Sequence, residues 1–523
     1  MQSFIGLDFG TANTVIQVFN ETLPEPQQLF LETGSKPYGE VQVIPSQITY
    51  TTPDQFEIGL SAEICSGYAH SYNFRWMKNY QLHRNPYHLK VEDQLVSSEQ
   101  AAESFLHTIL AYLEKTIPDI AGIGLTVPVD AYEPYESWLS DICERHKLGT
   151  ISLIDEASAA AIGADIQRLP GQIVCVIDFG AGTLDISIVK FDEAGESQHQ
   201  RCTVLAKYGT ALGGMHIDQW LYQYVIRQCG FDRNDARLNT NSAEILRQCE
   251  LAKISLSTQD TAEINFDLHD GTPTQSIHIT DIIFLQLLEQ HNFLTQLRQV
   301  LDTALAGLQQ KGYQASDISQ VISIGGSSLL PPFQSLIRNY FPNIPVATQH
   351  ALDAVSRGAA LFASGQPFFN HIQHDYALRY YDAEQDTYKY RLLINKGTPY
   401  PSQGALAEFY IQSTYEGQNK FGLAIYEINQ HHNPVNEPME LFFNDQGAVQ
   451  LTPLTKQVQE EREHIWLNEL NPTFLVTNSP AAWGENQFKV SFSLDGNKRL
   501  LVSSYDMIVQ SWTLLNQPVI KLS

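Results

Sequence analysis

Two stretches decide the fold: residues 4–19, FIGLDFGTANTVIQVF, and residues 174–189, VCVIDFGAGTLDISIV. They lie 170 positions apart, and each runs through an apolar segment, Asp-Phe-Gly, a turn of small residues and a second apolar segment. Each reads as a strand, a tight Gly/Thr turn and a return strand. Taken singly, either is an ordinary hairpin with turn-favoured Gly, Asp and Thr. A matched pair points instead to a duplicated α/β architecture with a cleft between its halves, at a period far too long for a solenoid. A Gly-rich turn between two strands leaves backbone N–H groups pointing outward, which suits phosphate oxygens. Asp8 and Asp178 occupy equivalent places at the lips of the two turns; Asp185 adds a third carboxylate, and Thr11 and Thr183 add hydroxyls. Carboxylates converging on a cleft suit a Mg²⁺–polyphosphate, held directly or through the metal's waters.

Around the hairpins, strands at 123–127 and 321–324 alternate with helical patterns at 99–115, 157–166, 217–227 and 243–256. Residues 281–310 read as a long, broken helical stretch that Gly312 closes. A third Gly turn, Val321-Ile-Ser-Ile-Gly-Gly-Ser-Ser328, follows a strand and precedes a helix near 332–340. Its Gly325-Gly326 pair would let a sugar or base approach the backbone closely. No Gly-Lys-Ser/Thr phosphate loop occurs, and no His-Arg-Asp accompanies the Asp-Phe-Gly pair as in protein kinases.

The alternation ends near residue 366. Residues 367–375 read as a linker, and 376–523 as short strands at 388–394, 409–413, 421–428, 488–492 and 500–504. That region is expected to be an all-β sandwich, with 457–464 as a charged connection.

At 523 residues the chain holds about three to four domain-sized units. With 43% hydrophobic and 17% charged residues, it has material for a sizeable core. Lys plus Arg number 32 against 58 Asp plus Glu, a net −26, which excludes a nucleic-acid-coating or anionic-membrane-binding protein. The first basic residue is Lys36, so no charged n-region precedes an apolar stretch, and no apolar run reaches the ~18 residues of a membrane span. The six cysteines are scattered without CxxC spacing. A cytoplasmic location in a reducing environment is expected.

With these motifs in order, the chain resembles the actin, sugar-kinase and heat-shock ATPase superfamily. Within it, the chain is identified as a lid-less, divergent member of the seventy-kilodalton heat-shock chaperones of the DnaK type. Residues 1 to about 365 carry that resemblance. Ile5-Gly-Leu-Asp-Phe-Gly-Thr11 is similar to the family's first phosphate loop and Asp178-Phe-Gly-Ala-Gly-Thr-Leu-Asp185 to its second. The resemblance makes Gly10, Thr11, Ala12, Asn13, Gly180, Ala181, Gly182 and Thr183 nucleotide-binding, with Asp8, Asp178 and Asp185 on the metal through water. Lys78, in Phe74-Arg-Trp-Met-Lys-Asn79, matches the lysine that reaches the γ-phosphate and attacking water. Asp155-Glu-Ala-Ser-Ala-Ala-Ala161 makes Glu156 the carboxylate near metal and water; Lys78, Glu156, Asp178 and Thr183 are then the catalytic set. Leu212-Gly-Gly-Met-His-Ile-Asp218 supplies Gly213 and Gly214, and Cys249-Glu-Leu-Ala-Lys-Ile-Ser-Leu-Ser257 supplies Glu250, Lys253 and Ser257 near the ribose. Gly325, Gly326 and Ser327 fit the adenosine turn.

What the resemblance implies is a nucleotide-binding ATPase domain at 1–366 of duplicated actin-like, ribonuclease-H-like fold, followed by a peptide-binding β-sandwich at 376–523. The implied function is slow, Mg²⁺-dependent hydrolysis of ATP to ADP coupled to binding of unfolded or client protein segments. J-domain and nucleotide-exchange co-chaperones are the implied partners. Two rival readings share the fold: an actin-like filament or scaffold protein, and a small-molecule kinase. The departures from the family are Ile254 and Leu329 in place of two arginines near adenine, Ala157 in place of a coupling proline, Ala12 and Asn13 in the first loop, and Gly365-Gln-Pro-Phe-Phe-Asn-His371 in place of an acidic-aliphatic linker. Weak coupling between the domains is therefore expected.

Overall fold

The computed structural model describes residues 2–522 other than 67–70, 129–130, 165–168, 192–201, 232–234, 236, 269–272, 366–371, 373, 383–384, 386, 399, 429–438, 454–463, 470 and 496–497. Most of the expected linker at 367–375 and of the charged connection at 457–464 falls outside the described residues. The fold is mixed α/β and forms two compact units. One comprises residues 1–129, 139–368 and 432–454; the other comprises 130–138, 369–431 and 455–523.

Two mixed sheets organise the first unit. The strand order of one is Thr150–Asp155, Ile120–Val127, Ser3–Phe9, Asn13–Phe19, Val41–Pro45 and Lys36–Tyr38, with Gln27–Leu29 also paired to Asn13–Phe19. The other runs Val346–Ala347, Ile318–Ile324, Ile173–Phe179, Leu184–Phe191 and Cys202–Thr210. The directions correspond strand for strand. In each sheet the leading strand of the quoted hairpin pairs antiparallel with its return strand and parallel with a later one, Ile120–Val127 or Ile318–Ile324. The two turns close alike: the Gly10 amide donates to the Asn13 carbonyl at 3.1 Å, and the Gly180 amide to the Thr183 carbonyl at 3.0 Å.

Helix Ser98–Thr116 lies where its apolar periodicity places it, whereas helices Gly59–Cys65, Met77–Leu82 and Glu133–Glu144 are not among those expected from the sequence. Ala102, Phe105, Leu106, Ile109, Leu110 and Leu113 are all fully buried on one face. A Ser97/Gln100 capping box satisfies the first-turn amides. The broken stretch resolves into Asp281–Gln290 and Phe293–Gln310, parted at Asn292, whose φ is 51°.

Helix Ala354–Ala363 packs against helix Glu156–Gly163 and the first sheet through backbone contact. A Cβ on Gly358 would stand 1.8 Å from the Ala159 carbonyl oxygen. Ala157, Ala159 and Ala160 fill the same core with Val174, Ile322 and Ala359. Gly358→Ala is expected to destabilise the chain by roughly 1–3 kcal/mol through overpacking. A urea midpoint equal to that of the wild type would contradict this close approach.

The second unit contains two antiparallel sheets. One orders Thr387–Ile394, Asp375–Asp382, Lys420–Ile428 and His464–Trp466, with Thr473–Val476 also on Lys420–Ile428. The other orders Ala407–Gln412, Asn486–Leu494, Arg499–Asp506 and Ser511–Lys521. Tyr376, Phe421 and Ile425 from the first share one core with Phe488, Phe492 and Val502 from the second. Burial along Asn486–Leu494 peaks at alternate residues, as a half-buried strand requires. Among the described residues no helix is long and apolar enough to cross a membrane.

Candidate functional site: a cleft between two matched turns

The two hairpin turns face each other across a cleft of about 1140 Å³, open to solvent. Gly182 brings the tips together: a Cβ there would lie 3.0 Å from Thr11 Oγ1 and 3.2 Å from Asn79 Oδ1. The third turn backs the second. Gly325 has φ 84°, and a Cβ on it would meet the Phe179 carbonyl oxygen at 2.4 Å and Asp178 Oδ1 at 2.6 Å. Only glycine fits that position. Ser327 Oγ donates to the Gly180 carbonyl at 2.8 Å. The start of helix Gly214–Gln228 serves the same turn, with the Gly214 amide on the Gly180 carbonyl and the Met215 amide on that of Ala181.

Four charged side chains converge at the floor. Asp8 Oδ1 accepts from Thr126 Oγ1 at 2.8 Å. Glu156 begins its helix directly after Asp155, which accepts from the Ser158 amide as N-cap. Its Oε1 meets Lys78 Nζ at 2.5 Å, and Lys78 is only 3% exposed. Burial, then repulsion from Glu156, pushes the Asp8 carboxyl up to about 6, with Lys78 opposing. The same burial, with Glu156, Asp185 and Asp8 nearby, raises Asp178 well above the usual carboxylate range. One lysine thus faces three carboxylates, and the cluster is short of positive charge. A divalent cation fits that deficit. Among the described residues, no group of three or more His, Cys, Asp or Glu is arranged to ligate a metal directly.

The opposite wall is helix Leu238–Ser255 and its C-terminal turn. Glu250 pairs with Arg75. Against the upward push of burial, Arg75 and then Lys253 hold the Glu250 carboxyl below its usual range. Lys253 Nζ donates to Asp218 Oδ2 at 2.7 Å and to the Gly214 carbonyl at 3.1 Å. Burial nevertheless pushes Asp218 up to about 6. Desolvation pushes the half-buried His216 ring down to about 4, so it is neutral at pH 7, and its Nδ1 accepts from the Gly213 amide at 3.0 Å.

Asp8, Gly10 to Asn13, Lys78, Glu156, Asp178, Gly180 to Thr183, Glu250, Lys253, Ser257 and Gly325 to Ser327 all line this cleft. Three of the residues named from sequence do not. Asp185 is buried beneath it, opposite Asp178 in the strand register, while Gly213 and Gly214 stand behind the second turn. Ile254 lines the cleft and Leu329 does not; its neighbour Leu330 does. Sequence reasoning missed Tyr38, Thr126 and Asp218, and it passed over Arg75, which lies three residues before Lys78 in the quoted segment.

The profile of the family described as Hsp70 protein matches residues 86–366. The chain is 28% identical over 272 residues to "Chaperone protein HscA" of Xenorhabdus nematophila, covering 51% of this chain and 41% of that protein. It is 24% identical over 384 residues to "Chaperone protein HscA homolog" of Photobacterium profundum, covering 69% and 57%. A "Chaperone protein HscA" of Klebsiella pneumoniae is 26% identical over 386 residues, covering 68% and 57%. The chain thus spans about half the length of the curated relatives it matches.

Proposed function

This chain belongs to the Hsp70 protein family, and from that premise we propose that it is a Mg²⁺-dependent ATP hydrolase of chaperone type. Its domains are then a duplicated, actin-like nucleotide-binding domain at 1–366, a linker at 367–375, and a β-sandwich-like domain at 376–523 that takes unfolded or client protein segments, with the exchange that 130–138 groups with the second compact unit and 432–454 with the first. The observation that carries this reading is the convergence of Lys78, Glu156, Asp8 and Asp178 beneath two turns of the same construction.

The amides of Thr11 to Asn13 and of Ala181 to Thr183 cradle the phosphates, and Thr11 and Thr183 add hydroxyl donors. Mg²⁺, when bound, neutralises phosphate charge. Asp8 and Asp178 would hold it through its waters, with Asp185 buried behind Asp178. Lys78 donates to the γ-phosphate side, and Glu156, fixed by Lys78, orients the attacking water. Lys253, Glu250 and Ser257 stand at the ribose, and Gly325 to Ser327 with Ile254 at the base. Catalysis of this kind is positioning plus charge stabilisation, which accords with slow turnover. J-domain and nucleotide-exchange co-chaperones in the cytoplasm complete the proposal, carried by family resemblance.

The test is phosphate release from ATP by the full chain, with Mg²⁺ and with EDTA, in the presence and absence of an unfolded peptide. Mg²⁺-dependent release is expected, with stimulation by peptide below about fivefold, or ~1 kcal/mol of coupling. The bound is low because Ala157 and 365–371 depart from the family's coupling elements. No release under any condition would overturn the proposal.

A further inference from the structure

The first unit holds a further hairpin. Strands Met439–Phe443 and Val449–Pro453 pair antiparallel, with a tight turn at Asn444 to Gly447. In the chain they fall between Lys420–Ile428 and His464–Trp466, which pair directly with each other. The sheet of the second unit is therefore complete without the hairpin, and the hairpin belongs to the first unit.

There it touches both walls of the cleft. On one side, the Phe443 ring lies 5.1 Å from Tyr87 and 6.0 Å from Trp76, and the Lys90 amide donates to the Asp445 carbonyl at 2.9 Å. Trp76 immediately precedes helix Met77–Leu82, which carries Lys78, and it holds a left-handed backbone with φ 54°. A bulky residue keeps that conformation only where its surroundings enforce it. On the other side, the Val449 amide donates to Ser242 Oγ at 2.8 Å, on the helix that carries Glu250 and Lys253. Phe443 is 6% exposed and Val449 8% exposed, so these are packed contacts. The Arg75–Glu250 ion pair joins the same two walls.

A ligand gripped by both walls of a cleft leaves faster when they part. We propose that the 439–453 hairpin is a built-in clasp across the cleft that slows release of the nucleoside diphosphate. The inference rests on the nucleotide reading above. Parting the walls requires either Phe443 to leave Tyr87 and Trp76 or Val449 to leave Ser242, so the hairpin adds a barrier to opening beyond the Arg75–Glu250 pair.

The test is stopped-flow release of a fluorescent ADP analogue from the full chain, chased with excess ATP. Phe443→Ala is expected to speed release tenfold or more. Ser242→Ala, which removes the second anchor, is expected to speed it threefold or more and stands in should Phe443→Ala fail to fold. Amide exchange at Lys90 gives a readout that needs no nucleotide: slow in the wild type, faster in Phe443→Ala. Release within twofold of wild type in a folded variant overturns the clasp while leaving the nucleotide reading intact. Failure of the wild type to bind the probe at all overturns that reading, and this regulation with it. An unprotected Lys90 amide in the wild type overturns the clasp by itself.

Discussion

Lys78→Ala is expected to reduce single-turnover hydrolysis by at least ~100-fold, the scale seen when one transition-state donor is removed, while ATP affinity stays within a fewfold of wild type. Lys78 is almost fully buried and its ammonium contacts Glu156. Its distance from the two turns in sequence matters less than its place at the floor near Asp8 and Asp178, whose carboxyls it draws downward. Charge that develops on the γ-phosphate side meets this ammonium chiefly in the transition state, so rate suffers more than binding. Calorimetric titration with ATP and a single-turnover assay separate the two. If affinity collapses in step with rate, Lys78 is an ordinary binding residue.

Asp8→Asn and Asp178→Asn are each expected to cut Mg²⁺-dependent hydrolysis tenfold or more, at ~1.4 kcal/mol per decade. The same substitutions act in the opposite direction on the ligand-free fold. The Asp8 carboxyl rises from 3.8 to about 6 in the folded chain, because burial and Glu156 disfavour its charge. Between those two values the unfolded chain releases its proton while the folded chain keeps it, so stability falls as pH rises through the window. Above it the penalty is complete; below it the penalty is absent. Asp8→Asn removes the charge, and an amide oxygen still accepts from Thr126. Its melting temperature without nucleotide should therefore exceed that of wild type at pH 8, and the gain should vanish at pH 4. A gain that persists or grows toward pH 4 would contradict the assigned shift. Unchanged turnover in both variants would remove the metal role from these two carboxylates.

Much of the site was legible because its signals are local. The two turns show their Gly and Thr within a few positions of Asp8 and Asp178, and the strands on either side are apolar runs. Helix Ser98–Thr116 was legible for the same reason, its apolar positions recurring at helical spacing. What stayed hidden is long-range. Thr126 reaches Asp8 from 118 residues away, and Arg75 reaches Glu250 from 175. Neither residue type nor spacing announces such a pair. Tyr38 lies on a three-residue strand, Lys36–Tyr38, too short to show any period. Of the hairpin at 439–453 the sequence shows only a turn-favouring run, Asn444-Asp-Gln-Gly447. Its attachment to the first unit depends on Trp76, Tyr87 and Ser242, which come from two remote segments. Gly213 and Gly214 were placed at the ligand by motif, whereas their backbone supports the turn that would hold it.

A crystal structure of the full chain grown with Mg²⁺ and ADP tests the central claim most directly. The account predicts that the diphosphate rests on the amides of Thr11 to Asn13 and Ala181 to Thr183, with the hydrated metal facing Asp8 and Asp178 and the base beside Gly325 to Ser327 and Ile254. Nucleotide bound anywhere other than between these two turns, or a cleft that stays empty at saturating Mg²⁺–ADP, would contradict it.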